Sequence, residues 1–165
     1  LNEYPDFGGK FDVVHHSTYL NDPFAQGKLV PKNRQDETVV FHDSCYLGRY
    51  NDVYDAPRQV LSSIPGLQLA EVNYWNKNKG LCCGAGGAQM FMEEQNEKRV
   101  NVKRTLQLLD TGAKTIASGC PFCMTMLTDG LKAQEKEDSV RQVDIAELLA
   151  KSVGVEATAE AAAAE

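Results

Sequence analysis

No stretch of this chain approaches the roughly 18 consecutive apolar residues of a membrane-spanning helix, and no basic, apolar, small-residue succession resembles a signal peptide. Blocks of Lys and Arg are also missing: 17 basic residues stand against 23 acidic ones, a net charge of −6. That balance sets nucleic acid aside as a partner and leaves no polybasic membrane anchor. An even number of cysteines is lacking too. There are five, so no closed set of intramolecular disulfides accounts for them. Thiols clustered in a reducing compartment point to metal or redox chemistry, and the chain is read as cytoplasmic. The sequence begins at Leu1 with no Met, so a fragment of a larger protein is expected. What is there suffices for one domain: 165 residues, 42% of them hydrophobic, can bury a core of their own.

The rest of the chain is organised around Gly80-Leu81-Cys82-Cys83-Gly84-Ala85-Gly86-Gly87. Adjacent cysteines have Cα atoms only about 3.8 Å apart, whereas an ordinary disulfide wants about 5.5 Å. Both sulfurs therefore serve something other than each other. Gly84, Gly86 and Gly87 permit positive φ and let backbone N–H groups crowd round an anion where side chains would clash. The loop reads as a cradle for a negatively charged, sulfur-rich group. Cys45 lies 36 residues before the pair, and Cys120 with Cys123 begins 36 residues after it.

Taken in order, residues 1–10 carry Pro and paired Gly and read as a leading segment. From Asp12, residues Val13, Val14, Thr18, Tyr19 and Leu20 suit a helix facing a core, ending near Gly27, with Pro23 a candidate early break. His15 and His16 are read as surface or satisfied core residues rather than ligands. This part, 1–37, is expected to lie against the domain that follows. Thr38 to Ser44 forms a buried parallel strand delivering Cys45 at its C-terminal end, where ligands collect in open α/β sheets. A helix from Ala56 to Ser63, the turn Pro65-Gly66 and a strand from Leu67 to Val72 lead to the paired cysteines.

Gln89 to Leu109 carries the longest helical signal. Met92, Val102, Leu106 and Leu109 form its apolar stripe, Glu94 and Lys98 pair at i,i+4, and Gly112 is the stop. Asn96 and Arg99 interrupt the stripe, facing either a polar site, a partner or solvent. A strand from Lys114 to Ser118 runs into Gly119-Cys120-Pro121-Phe122-Cys123. Proline is favoured at the first helical position, which makes Cys120 the N-cap and Cys123 the third residue of a helix to Gln134. Both sulfurs then sit where free N–H groups favour thiolate. A strand from Val140 to Val143, a helix from Ile145 to Val153, and a low-complexity tail from Glu156 to Glu165, expected to be disordered, complete the chain. The cysteine domain is thus bounded at 38–153, with 154–165 as tail.

Three successive strands each end at a cysteine element. A parallel, right-handed βαβ sheet of about four strands in a three-layer α/β fold would gather all five sulfurs along one edge. A lone Cys-x-x-Cys is weak evidence. Five thiols sent to one edge with none left over form a strong constellation.

Cys45, the Cys82-Cys83-Gly84 triplet and Cys120-Pro121-x-Cys123 resemble the cysteine-rich CCG domain of heterodisulfide reductase B/D-type iron-sulfur oxidoreductases, from about Thr38 to Leu148. The wording around them, His42-Asp43-Ser44-Cys45-Tyr46-Leu47-Gly48-Arg49, Met92-Glu93-Glu94 and Gly119-Cys120-Pro121-Phe122-Cys123, is similar to the C-terminal CCG domain of bacterial membrane-bound iron-sulfur oxidoreductases, some of which pass electrons from electron-transfer flavoprotein to quinone. Ser44 stands where many members of the wider family carry Pro. The resemblance implies a noncubane four-iron four-sulfur cluster on Cys45, Cys82, Cys83, Cys120 and Cys123. Gly84, Gly86 and Gly87 would supply backbone hydrogen bonds to it. It implies an electron-transfer module that is part of an oxidoreductase and not a complete enzyme, with no separate catalytic residue. Its partners would be a second CCG domain, a ferredoxin-like domain, a flavoprotein donor and a quinone-linked membrane subunit, at the cytoplasmic face of the membrane through the parent protein. The alternative is a zinc-binding structural or subunit-joining domain. An all-cysteine zinc site uses four thiols and leaves the fifth idle, so ligand number and softness favour iron-sulfur.

Overall fold

The computed structural model describes residues 6, 8, 11–92 and 99–155. Most of the leading segment, Asn96, the Glu94 and Lys98 pair, Glu93 and the tail from Glu156 lie outside the described residues.

Among the described residues five helices and four strands alternate: α1 (His16–Ala25), β1 (Thr38–Phe41), α2 (Asp55–Ser62), β2 (Gln68–Ala70), α3 (Val100–Leu109), β3 (Thr115–Ser118), α4 (Pro121–Ala133), β4 (Arg141–Asp144) and α5 (Ile145–Val153). The strands form one sheet in the order β2-β1-β3-β4, and every pairing is parallel. The expected three-layer α/β architecture is what the chain adopts. Successive side chains of a strand point to opposite faces. Val39, Phe41 and Ala117 accordingly join α2 and α5 on one side through Val60, Leu61, Leu148 and Leu149. Val40 and Ile116 meet Leu108 of α3 with Leu127 and Leu131 of α4 on the other. From β1 the chain moves outward to β2, then returns past β1 to β3. The strand order reverses between β1 and β3, and crevices at such switch points beyond the C-terminal strand ends are where open α/β sheets bind ligands.

Several expectations are corrected. The first helix starts at His16; Val13 and Val14 precede it and are exposed, as is Tyr19, so that stripe does not face the core. Leu20 alone of the apolar set packs against the core, and Pro23 lies inside the helix without ending it early. β1 stops at Phe41 because only His42 continues the ladder, its N–H donating to the Ala117 carbonyl at 2.8 Å. Asp43 is drawn aside by Arg58. β2 keeps three residues of the expected six, pairing only with Thr38 to Val40.

The described residues do not form one helix from Gln89 to Leu109. A single 3-10 turn covers Gln89–Phe91, Met92 is extended, Arg99 is again non-helical, and α3 begins at Val100. Its buried face is not the apolar stripe. Asn101, Arg104, Thr105 and Leu108 point inward, whereas Leu106 is 43% exposed and Met92 is 55% exposed. The inward set is itself spaced at i, i+3, i+4 and i+7, the helical period, and its polar members Asn101 and Arg104 bond the Met126 carbonyl and His42 beneath them.

Candidate metal centre at the cysteine edge

Cys45 lies in the turn after β1, Cys82 and Cys83 in the loop after β2, and Cys120 and Cys123 at the junction of β3 with α4. Three crossovers therefore deliver the sulfurs to the C-terminal edge of one sheet. Cys83 and Cys123 are buried, and with Met126 they form a small cluster that Cys82 and Cys120 join from its rim. Cys45 is half-buried and opens with Cys82 on a cleft between Gly48, Arg49 and Gly80. All five are free thiols.

The loops are held by ion pairs rather than apolar contacts. Arg58 of α2 donates to both oxygens of Asp43 (2.7 and 3.0 Å) and to both of Glu71 (2.6 and 3.0 Å), which ties the end of β1 to the end of β2. Asp43 also accepts the Lys77 N–H at 2.7 Å, fixing the approach to Cys82. Arg49 donates to the Gly80 carbonyl, so the Cys45 turn and the Cys82 loop are joined directly. Asn101 donates to the Met126 carbonyl at 3.2 Å and holds α3 against α4 beside Cys123.

The glycines divide. Gly84 has φ +95, and a Cβ there would meet the Asn101 amide nitrogen at 3.2 Å, so only glycine fits without strain. Its N–H donates to Cys82 Sγ at 3.3 Å, and the Ala85 N–H approaches Cys83. Gly86 and Gly87 stand in open space. In this loop the amides that reach sulfur are those of Gly84 and Ala85.

Cys120 is the N-cap of α4 with Pro121 at the first helical position, as the sequence indicates. A hydrogen bond from Cys123, with the amides of Cys123 and Phe122, outweighs burial and brings the Cys120 thiol down to about 6. Cys123 goes the other way: its one proton is held between Cys120 and Cys83 and the group is buried, so its thiol is pushed up. The expectation that both sulfurs of this pair favour thiolate holds for Cys120 alone in the metal-free chain. Cys83 is drawn down by hydrogen bonds from Cys123 and Cys82, with His42 adding to them, and Cys82 is raised because it donates to Cys83. These four sulfurs thus bias one another's protonation, and a soft cation bound by them would displace their protons.

His15 and His16 hold the rim without joining the sulfurs. His15 Nε2 donates to the carbonyl of Gly119 at 2.9 Å, and His16 Nε2 lies 3.1 Å from Asp144. An open groove of about 740 Å³, lined by Val14, His15, Tyr46, Leu47 and Phe122, reaches Cys120. Sequence reading missed the supporting polar groups His42, Asp43, Arg58, Asn101 and Arg104. The signal for Asn101 and Arg104 was their helical spacing; for His42 it was a polar residue closing a run of β-branched and apolar ones.

The family model for the cysteine-rich CCG domain matches residues 39–128, a span that includes all five cysteines. Among curated proteins, the chain is 54% identical over 152 residues to the probable iron-sulfur-binding oxidoreductase FadF of Bacillus subtilis, covering 92% of this chain and 21% of that protein. It is 44% identical over 159 residues to the EtfAB:quinone oxidoreductase of Syntrophomonas wolfei, covering 92% of this chain and 22% of that protein. It is 35% identical over 156 residues to a subunit of the dihydromethanophenazine:CoB–CoM heterodisulfide reductase of Methanosarcina barkeri, covering 93% of this chain and 37% of that protein. The chain spans about a fifth of the length of the first two and little over a third of the third. No helix among the described residues is long and apolar enough to cross a membrane. With its five cysteines inside the matched span and its sulfurs gathered at one sheet edge, this chain belongs to the cysteine-rich CCG domain family.

Proposed function

We propose that this chain is an iron-sulfur-binding electron-transfer module of a heterodisulfide-reductase-like oxidoreductase. Cys45, Cys82, Cys83, Cys120 and Cys123 would hold a noncubane four-iron four-sulfur cluster. The observation that carries the reading is the gathering of Cys82, Cys83, Cys120 and Cys123 around Met126 at one sheet edge, with Cys45 opening on the cleft that Cys82 lines. Soft thiolates in this number suit iron-sulfur better than a four-ligand zinc site. When bound, the cluster supplies reversible one-electron storage, with a potential that answers to hydrogen bonds on its sulfurs.

The residues of this chain do the rest. Arg58 and Asp43 fix the strand ends, Gly84 and Ala85 direct amides at the sulfurs, and Met126 helps to shield Cys83 and Cys123 from water. Cys120, where the groove ends, is the sulfur nearest an approaching partner. The names of the relatives support a place in a chain of carriers, one of them an EtfAB:quinone oxidoreductase and another part of a heterodisulfide reductase. A second CCG domain, a ferredoxin-like domain, a flavoprotein donor and a quinone-linked membrane subunit at the cytoplasmic face are the partners this reading names.

Anaerobic reconstitution tests it. About four irons and four acid-labile sulfides per chain are expected, with visible absorbance and a paramagnetic signal in one oxidation state. One tightly bound zinc and no sulfide would overturn the reading in favour of a structural metal domain.

A further inference from the structure

His42 is the first residue past β1 and is completely buried. Its ring lies between two unlike neighbours. Arg104 Nε donates to His42 Nδ1 at 3.0 Å. A guanidinium has no lone pair to offer, so Nδ1 must be the acceptor, and in the neutral ring the proton then sits on Nε2. That second nitrogen has no hydrogen-bond partner among the described residues. The His42 ring instead groups with Cys83 Sγ and Cys123 Sγ, the ligand-type atoms of the three residues all lying within 4.8 Å of one another.

Arg104 is equally unusual. It is completely buried, yet its bonds run only to neutral groups: His42 Nδ1, the Trp75 carbonyl at 2.8 Å and Gln107 Oε1 at 3.1 Å. Its Nη2 has no partner, and among the described residues no carboxylate lies within ion-pair distance of it. Burial brings its pKa down to about 10, which leaves it cationic at neutral pH. A buried cation is stable only with an anion close by. Asp43, Cys123 and Glu71 act on it through space from beyond ion-pair distance, and of these Cys123 groups with His42 and Cys83.

We propose that Arg104 and His42 form a buried cationic donor relay, in which Arg104 fixes the ring so that Nε2–H is presented to the Cys83 sulfur, and that this relay raises the reduction potential of the group the cysteines hold. The effect on potential rests on the iron-sulfur reading. A hydrogen bond to a ligand sulfur and a cation behind it both stabilise added negative charge, so the reduced form gains more than the oxidised one. The same geometry makes His42 a positioning donor and not a ligand. Ligation through Nε2 would require its lone pair, and the proton would then sit on Nδ1 facing the N–H of Arg104.

Two measurements on the full chain test this. In metal-free protein labelled with ¹⁵N-histidine, long-range proton–nitrogen NMR should show the His42 ring protonated on Nε2, with an accepting Nδ1. A ring protonated on Nδ1 overturns the relay whatever the site holds, and no variant has to fold for that result to count. In reconstituted protein, His42→Phe and Arg104→Leu should each lower the midpoint potential at unchanged iron and sulfide content, and Arg104→Lys should recover part of the shift. Pulsed paramagnetic resonance of the ¹⁵N-labelled wild type should find only a weak nitrogen coupling. An unchanged potential in a fully loaded His42→Phe protein, or a coupling as large as direct ligation gives, overturns the proposal. Zinc without sulfide in the wild type would overturn the iron-sulfur reading and the effect on potential together, whereas the tautomer result alone bears on the relay.

Discussion

Along β1 and β3, Val39, Val40, Phe41, Ile116 and Ala117 are at most 1% exposed and belong to two apolar clusters, one on each face of the sheet. The next residues on the same two paths, His42, Asp43, Ser44 and then Ser118 and Cys123, are almost as inaccessible but polar or sulfur-bearing. Burial is therefore similar in both regions, and what differs is how the buried groups are satisfied. The core closes on itself through dispersion and the hydrophobic effect. The cysteine edge satisfies Asp43 and Arg58 completely, yet leaves His42 Nε2, Ser44 Oγ, Asn101 Oδ1 and Arg104 Nη2 without partners beside clustered thiols. Polar groups buried with spare bonding capacity mark the region whose structure serves binding more than folding.

The comparison breaks if damage to one region spreads equally to the other. Ile116→Ala, at a fully buried position on a central strand, should cost about 4 kcal/mol of stability. Denaturant titration of the metal-free chain would show it, and the metal content of the surviving folded protein should be unchanged. Arg58→Leu strips Asp43 of its buried partner and should cost about 3 kcal/mol. Unlike the core change, it should also loosen the Cys82 loop, read as faster amide exchange at Lys77 to Gly84 with β3 still protected. Metal removal from the loaded protein should produce that second pattern without the first, because the sheet core does not depend on the site.

Gly84→Ala should cost about 2 kcal/mol through its positive φ and reduce metal loading more than its stability loss accounts for, since the Gly84 amide bonds Cys82. The smallest effect lies far from the cysteines, at the opposite end of the sheet. Burial would raise the Glu37 carboxyl, but hydrogen bonds from Thr115 and Arg141 outweigh it and hold the group below its ordinary value of 4.5. A carboxyl that is more acidic folded than unfolded stabilises the fold at higher pH and loses that contribution as pH falls through the carboxylate range. Because Arg141 is half exposed, Glu37→Gln should cost less than about 1 kcal/mol at neutral pH. The difference from wild type should vanish in acid, in paired pH–stability curves.

The two regions were unequally legible in the sequence. Thr38 to Phe41 and Thr115 to Ser118 carry runs of β-branched and apolar residues flanked by clear breaks, and the Cys120-Pro121 helix start follows from the fixed φ of proline. The capping pair Asp144 and Glu147 marks α5 equally well. The buried face of α3 was hidden because Asn101, Arg104 and Thr105 read as solvent residues on any hydrophobic scale. They face inward because Asn101 bonds the Met126 carbonyl, Arg104 bonds His42 and Trp75, and Thr105 lies against Gly130 of α4. The five cysteines could be grouped from spacing alone, but the packing of four of them together and the place of His42 beside Cys83 and Cys123 depend on distances that no linear pattern contains. Met92 and Arg99 show the same limit in reverse. A continuous helical pattern was broken there by the turn at Gln89–Phe91 and the extended backbone of Met92 and Arg99.

Cys45 is the sulfur that separates a five-ligand site from a four-ligand one, since it reaches the edge alone from its own strand and stands outside the cluster of the other four. Cys45→Ser, reconstituted anaerobically beside wild type and assayed for iron, sulfide, visible spectrum and midpoint potential, tests the account most directly. Loss of iron and sulfide, or a changed spectrum and potential in whatever cluster remains, is the predicted result. A Cys45→Ser chain with wild-type content, spectrum and potential would contradict it and leave a site built on Cys82, Cys83, Cys120 and Cys123 alone.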